Sequence, residues 1–199
     1  MTRVWLLLLV LVAGAPAAFA QENRPFEAGA QLTIGRIGEL DATDVGVSGR
    51  LSWFPAASLG VEAEVGFSPG DVPEGTAISS NRVEGLFGVT AGPRLGPWRP
   101  FARLRPGFLR IGEAPEPVAC ILIFPPPLSC TLAGGRTLFA LDVGGGVSVD
   151  VTPGTSLRID IGDRMTRYPG PAFGRGRRVH DRGFYGHDLR VAIGAAWRF

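Results

Sequence analysis

Alternation is the dominant signal in this chain. Phe26, Ala28, Ala30, Leu32 and Ile34 share one side of a two-residue period, with Glu27, Gly29, Gln31, Thr33 and Gly35 on the other. The same pattern recurs in runs of similar length. Val45 to Trp53 sets Val45, Val47, Leu51 and Trp53 against Gly46, Ser48, Arg50 and Ser52. Leu59 to Phe67 sets Leu59, Val61, Ala63, Val65 and Phe67 against Gly60, Glu62, Glu64 and Gly66. Further runs lie at about Arg82–Gly92, Phe101–Ile111, Thr137–Val151 and Ser156–Gly162. The last begins near Asp188 and ends Val191, Ile193, Ala195, Trp197, Phe199, opposed by Arg190, Ala192, Gly194, Ala196 and Arg198. These eight runs predict eight strands. Pro106 interrupts the fifth and predicts a bulge or a weakened pairing there, because proline donates no ladder hydrogen bond.

The connections have a parity. Segments 36–44, 68–81, 112–136 and 163–187 are long; 54–57, 93–99 and 152–154 are short. Short turns at one end and long loops at the other suit an even-stranded, up-and-down barrel. Alternation alone does not say which face is inside, since a soluble lipocalin-like carrier also alternates. Three features decide. The polar face is rich in glycine, which costs entropy on a solvated surface but makes room in an eight-stranded lumen. It carries both signs in balance: Glu27, Glu62, Glu64, Glu84, Asp142, Asp160 and Asp188 against Arg50, Arg82, Arg103, Arg105, Arg158, Arg190 and Arg198. Enclosed charges need such partners. Aromatics gather at the ends of the runs, with Trp53, Phe54, Trp98, Trp197 and Phe199 at one rim and Phe67, Phe108 and Phe139 toward the other. Charges of apolar parity, namely Arg36, Arg110 and Asp163, fall only at the far ends, where the cost of meeting lipid falls toward zero.

The first twenty residues set the compartment. Met1-Thr2-Arg3 is followed by an apolar run, Val4 to Val12, and by Ala18-Phe19-Ala20, a small-x-small cleavage pattern. The run is too short for a spanning helix. We therefore expect a signal peptide over residues 1–20 and one domain over 21–199. The formal charge of +2 falls to +1 when Arg3 leaves, so no net field points to a partner. All 20 basic residues are arginine.

With Phe101-Ala102-Arg103-Leu104-Arg105-Pro106-Gly107-Phe108 and the terminal Ile193–Phe199 in view, the chain resembles the small eight-stranded OmpA/OmpX-like outer-membrane β-barrel proteins. The resemblance implies an all-β, antiparallel, up-and-down transmembrane barrel with both termini in the periplasm. It implies that Trp197 and Phe199 form the terminal aromatic signal read by the outer-membrane assembly machinery. It says little about activity, because this fold hosts many roles.

Chemistry is therefore sought in the loops. Cys120 and Cys130 bracket an apolar, proline-rich stretch and, in an oxidising compartment, are expected to form a disulfide. That stretch suggests partner contact, a lid in the barrel mouth, or a simple cap. The fourth long segment carries Arg164, Arg167, Arg175, Arg177, Arg178 and Arg182, with Tyr168, Phe173, Phe184 and Tyr185. Guanidinium forks match phosphate, so Arg167, Arg175, Arg177, Arg178 and Arg182 are candidate lipopolysaccharide contacts. His187-Asp188 with Ser156 or another hydroxyl would make a hydrolase constellation, but Ser156 belongs to the opposite end of its strand and no nucleophile is obviously paired with His187. Zinc spacings, phosphate loops and dinucleotide fingerprints are missing, so no metal, cofactor or nucleic acid is expected. The reading is a monomeric, non-enzymatic barrel with a structural or surface-interaction role and a lumen too full for a general pore. A lipid-modifying barrel enzyme and a small binding or transport barrel are the alternatives.

Overall fold

The computed structural model describes residues 25–40, 42–70, 80–114, 124–173 and 179–199. Its elements are β1 (Phe26–Ile37), β2 (Ala42–Ala56), β3 (Leu59–Ser68), β4 (Arg82–Ala91), β5 (Trp98–Glu113), α1 (Leu128–Leu132), β6 (Gly134–Thr152), β7 (Thr155–Tyr168), β8 (Ala172–Phe173), β9 (Val179–His180) and β10 (Phe184–Arg198). Eight of these strands close into an antiparallel barrel in the order β1-β10-β7-β6-β5-β4-β3-β2. The short β8 and β9 pair only with each other, beyond the rim.

The period-2 pattern places the strands as the sequence predicts, because each slip of one residue would exchange the apolar and ionic faces. Closure runs from Glu27↔Arg198 to Ile37↔Asp188 without a shift. Phe199 extends it: its N–H donates to the Phe26 carbonyl at 3.0 Å, and the two rings stack 6.1 Å apart. Tight turns gather at one end. Gly96 there has φ +63°, a left-handed turn conformation that favours glycine, and the Leu95↔Trp98 bridge closes over it. Register shifts occur beside the other two turns, after Trp53 and after Asp150.

At Pro106 the second of the two expected outcomes, a weakened pairing, is found, and on one side only. β5 continues through it, and its pairing with β6 is unbroken at Pro106↔Leu141. Toward β4 the ladder lapses between Leu86↔Gly107 and Val89↔Leu104, then resumes in the same register. There is a gap and no bulge. Gly88 lies within it and Gly107 at its edge, and at either a Cβ would collide with backbone of the neighbouring strand. By contrast Gly29, Gly66 and Gly162 do what the sequence suggests, leaving space for the side chains of Arg50, Glu84 and Arg103.

The outer surface is apolar from turn end to loop end. Val65 is 65% exposed and Ile161 55%. Trp53, Trp98, Trp197 and Phe199 stand out at the turn end, and Phe67, Phe108 and Phe139 toward the loop end. Phe54 departs from this girdle. It is buried, under the Arg99 guanidinium 4.0 Å from its ring centre, because its even parity in β2 points inward.

The interior corrects a second expectation. The lumen is not polar throughout. At the loop end, inward residues Leu86, Leu109, Ile111, Leu138, Ala140, Tyr168 and Phe184 form an apolar chamber, filled by Leu128 and Leu132 of α1. The third long segment therefore caps the barrel with its α1 end. Cys120 lies outside the described residues, so the Cys120–Cys130 bridge remains an expectation.

Candidate functional site

Below the apolar chamber the lumen holds an ionic column. It starts at the turn end with Asp150–Arg198 at 2.8 Å and Arg198–Glu27 at 3.3 Å. Glu27 also meets Arg50 at 3.1 Å and Arg99 at 3.6 Å. Arg50 reaches Glu62 at 3.9 Å, and Glu62 binds Arg158 at 2.6 Å. Arg158 continues to Asp160 at 2.7 Å. Asp160 lies 2.8 Å from Arg103, close but misaligned for a hydrogen bond. Arg103 holds Asp142 at 2.8 Å.

Arg105 is the hub. Fully buried, it contacts Asp142 at 2.7 Å, Glu64 at 2.6 Å and Glu62 at 3.2 Å. Above it Glu64 pairs with Arg190, Arg190 with Glu84 at 2.8 Å, Glu84 with Arg164 at 2.7 Å, and Arg164 with Asp188 at 3.4 Å. Arg82–Asp44 stands beside the column at 2.8 Å. Thirteen of the fourteen inward charges named from the sequence lie in it, all but Arg82: Glu27, Arg50, Glu62, Glu64, Glu84, Arg103, Arg105, Asp142, Arg158, Asp160, Asp188, Arg190 and Arg198. The structure adds Arg99, Arg164, Asp44 and Asp150. Arg164 was read as a loop residue because alternation on β7 fades after Gly162, yet the strand continues to Tyr168. A cavity of about 10 Å³ beside Glu84, Arg164 and Arg190 has room for one water. The column thus fills the bore, and α1 closes its top.

On the outer wall the loop-side residues separate. Arg167 belongs to β7 and lies 5.0 Å over the Tyr185 ring. Arg182 is exposed beyond the rim. Arg175, Arg177 and Arg178 lie outside the described residues. His187 does not act with its neighbour in sequence: Asp188 faces the lumen, while His187 faces out and its Nδ1 lies 2.6 Å from Asp163 Oδ2. Ser156 is buried at the turn end, opposite the wall position of His187. Asp163 had been read only as a tolerated rim charge; its pairing with His187 follows from adjacent strands and leaves no trace in either local sequence.

No protein-family model matches this sequence, and no curated protein matches it. Solved structures share its shape. Neisserial surface protein A superposes with a TM-score of 0.52 at 17% identity, over 88% of this chain and 97% of that one. The fold is that of a small eight-stranded outer-membrane barrel. OprG from Pseudomonas aeruginosa gives a TM-score of 0.49 at 10% identity, over 87% of this chain and 94% of that one. The N-terminal barrel domain of Pseudomonas aeruginosa OprF gives 0.48 at 12% identity, over 87% and 97%. At such identities the likeness extends to the fold alone.

Proposed function

We propose that this protein is an integral barrel of a bacterial outer membrane that acts through its loop-end surface and does not conduct through its bore. The observation that carries the reading is the inversion of the usual arrangement. Large apolar side chains stand exposed around the whole wall, while carboxylates and guanidiniums are buried at its axis. In water this would expose far more grease than a soluble protein tolerates; in lipid it is the stable orientation. Purified protein in detergent should migrate faster unheated than boiled, and cell fractionation should recover it with outer membranes. Recovery in a soluble periplasmic extract would defeat the proposal.

Both termini are assigned to the periplasm and the long loops to the cell surface, with residues 1–20 removed so that the mature chain starts at Gln21. Surface proteolysis and N-terminal sequencing test these two statements. Trp197 and Phe199 serve as the assembly signal, supported by their exposed position on the closing strand. Arg167, Arg175, Arg177, Arg178 and Arg182 are assigned to contact with lipopolysaccharide phosphates; unchanged association after their joint neutralisation would remove that assignment. The protein is read as a monomer, to be tested by sedimentation in detergent.

The role is read as non-enzymatic. One observation favours the lipid-modifying alternative, the outward His187–Asp163 pair, although it joins the imidazole to a carboxylate and not to a hydroxyl nucleophile. Lipid A whose acylation changes with the wild-type protein and not with His187→Ala would establish that alternative. A small-transport role would show itself as discrete conductance in planar bilayers, where we expect none.

A further inference from the structure

The apolar chamber at the loop end has a wall and a filler of different origin. Its wall comes from five strands: Leu86 of β4, Leu109 of β5, Leu138 of β6, Tyr168 of β7 and Phe184 of β10. Its filler comes from outside the barrel. Leu128 and Leu132 lie one helical turn apart on the same face of α1, and both are buried, while the residues between them are half-buried. Little else holds α1 to the strands. It is five residues long, has no side-chain cap and is too short to persist alone. Its described hydrogen bonds to the strand ends run from the Ala114 N–H to the Ala133 carbonyl at 2.9 Å and from the exposed Arg136 Nε to the Thr131 carbonyl at 3.1 Å. A seal needs only bulk. A wall of alkyl and aromatic groups around a detachable pair of leucines selects an alkyl occupant.

Tyr168 brings the one polar side-chain atom of this cluster. The residue is 1% exposed, its ring packs 5.5 Å from that of Phe184, and its hydroxyl has no hydrogen-bond partner among the described residues. A buried donor in that state is costly, and a ligand oxygen beside it removes the cost. The groups beneath are already engaged. Asp188 accepts from Thr166 Oγ1 and from the Gly38 N–H, each at 3.2 Å, and pairs with Arg164 at 3.4 Å. The chamber therefore ends on an ionic floor that an apolar chain does not enter.

We propose that the chamber binds a medium-chain neutral carbonyl compound, such as a 2-alkanone, with α1 as its displaceable stand-in. The alkyl chain takes the place of the Leu128 and Leu132 side chains, and the carbonyl oxygen accepts the Tyr168 O–H. Interiors are close-packed, so the guest matches what it displaces, and two isobutyl groups hold about eight carbons. A carbonyl suits a lone donor because it accepts and has no proton of its own to strand. A carboxylate does not suit it: Asp188 and Arg164 already neutralise each other, and a further anion would be buried unpaired. The proposal rests on the outer-membrane reading for access from the loop end, and adds to it a ligand that is held and not conducted.

The test is photolabelling of the folded protein in phospholipid nanodiscs with a 2-octanone analogue carrying a diazirine in its chain, mapped to residues by fragmentation mass spectrometry. In wild type, label on inward Leu86, Leu109 or Leu138 should saturate and be competed by 2-octanone, above a linear background on outward Phe87 and Leu104. Octanoate should compete at least about tenfold more weakly. Leu128→Ala/Leu132→Ala should lower the half-saturating concentration about tenfold, because the guest no longer contends with the leucines. Tyr168→Phe should raise it about fivefold for the ketone and leave competition by octane unchanged. Leu138→Trp, which fills the chamber, should abolish the saturable label. The proposal is overturned by label confined to the outward face, by an alanine double variant that binds no tighter than wild type, by a Tyr168→Phe variant that binds the ketone as wild type does, or by saturable label in a folded Leu138→Trp. Should Leu138→Trp lose the heat-dependent gel shift, Tyr168→Phe, which removes a single oxygen, decides. A wild type without that shift would instead bring down the membrane reading itself.

Discussion

Arg105→Met should be the most damaging single change to the barrel that leaves its outline intact. The guanidinium serves three carboxylates at once, at 2.6, 2.7 and 3.2 Å, in a fully buried site. Unit charges about 4 Å apart attract by about 4 kcal/mol at an effective dielectric near 20. Much of that repays desolvation, so the pair adds little net stability, but removing one partner strands the rest. Methionine fills most of the volume, and Glu62, Glu64 and Asp142 then share the interior with one cation fewer. The expected cost is about 3–5 kcal/mol, or roughly two to three and a half powers of ten in the folding equilibrium. Urea titration in detergent or vesicles, followed by fluorescence of the outward Trp53, Trp98 and Trp197, measures it. A companion, Arg105→Met/Asp142→Leu, restores charge balance while Arg103 keeps Asp160. It should be more stable than the single variant by about 2 kcal/mol, a coupling typical of groups in contact. A single-variant cost under about 1 kcal/mol, as for exposed pairs, would show that the column is hydrated and the burial argument wrong. So would a double variant whose losses simply add.

Other outcomes follow from the same geometry. Ile159→Arg, at mid-wall, should cost about 2–4 kcal/mol in a bilayer, whereas Tyr185→Arg at the rim should cost about 1 or less, read by the same titration. Leu132→Asp places a charge in the apolar chamber; it should release the α1 segment to limited proteolysis while the heat-dependent gel shift persists. Phe199→Ala should lower the amount of folded protein in the outer membrane of expressing cells, yet refold from urea into detergent with nearly wild-type yield. Thiol labelling of the unreduced, unfolded protein should find neither Cys120 nor Cys130 reactive, and labelling should appear after reduction.

The sequence carried most of the fold because the code for a barrel wall is local. Face, strand order and the parity of turns and loops follow from period 2 and from where it pauses. The ionic members follow from parity alone, and thirteen of the fourteen lie in one column. What parity cannot report is how far a strand runs once its outward residues turn polar. That is why Arg164 was placed in a loop, and why β7 and β10 are longer than the alternation suggests. The apolar chamber was missed because inward parity was taken to mean polar lining: Leu109, Ile111 and Leu138 share that parity, and their filler, Leu128 and Leu132, comes from a distant loop. Phe54 shows the reverse error, since its aromatic type suggested a girdle while its parity already pointed inward. The His187–Asp163 contact depends on the diagonal between two strands, a relation set by register and invisible to either segment alone.

A cylinder has no first or last stave once it is shut, yet its staves are not equally nailed. The join that completes this one, between the two terminal strands, is pinned along eleven consecutive rows and finished by an extra bond from the final residue. The slack lies across the wall, where a proline withholds a donor and two glycines let neighbouring backbones crowd without side chains between them. Thermal breathing should therefore begin at mid-height between β4 and β5, and deuterium should enter the amides of Phe87 and Gly88 well before those of Leu32 and Ile193.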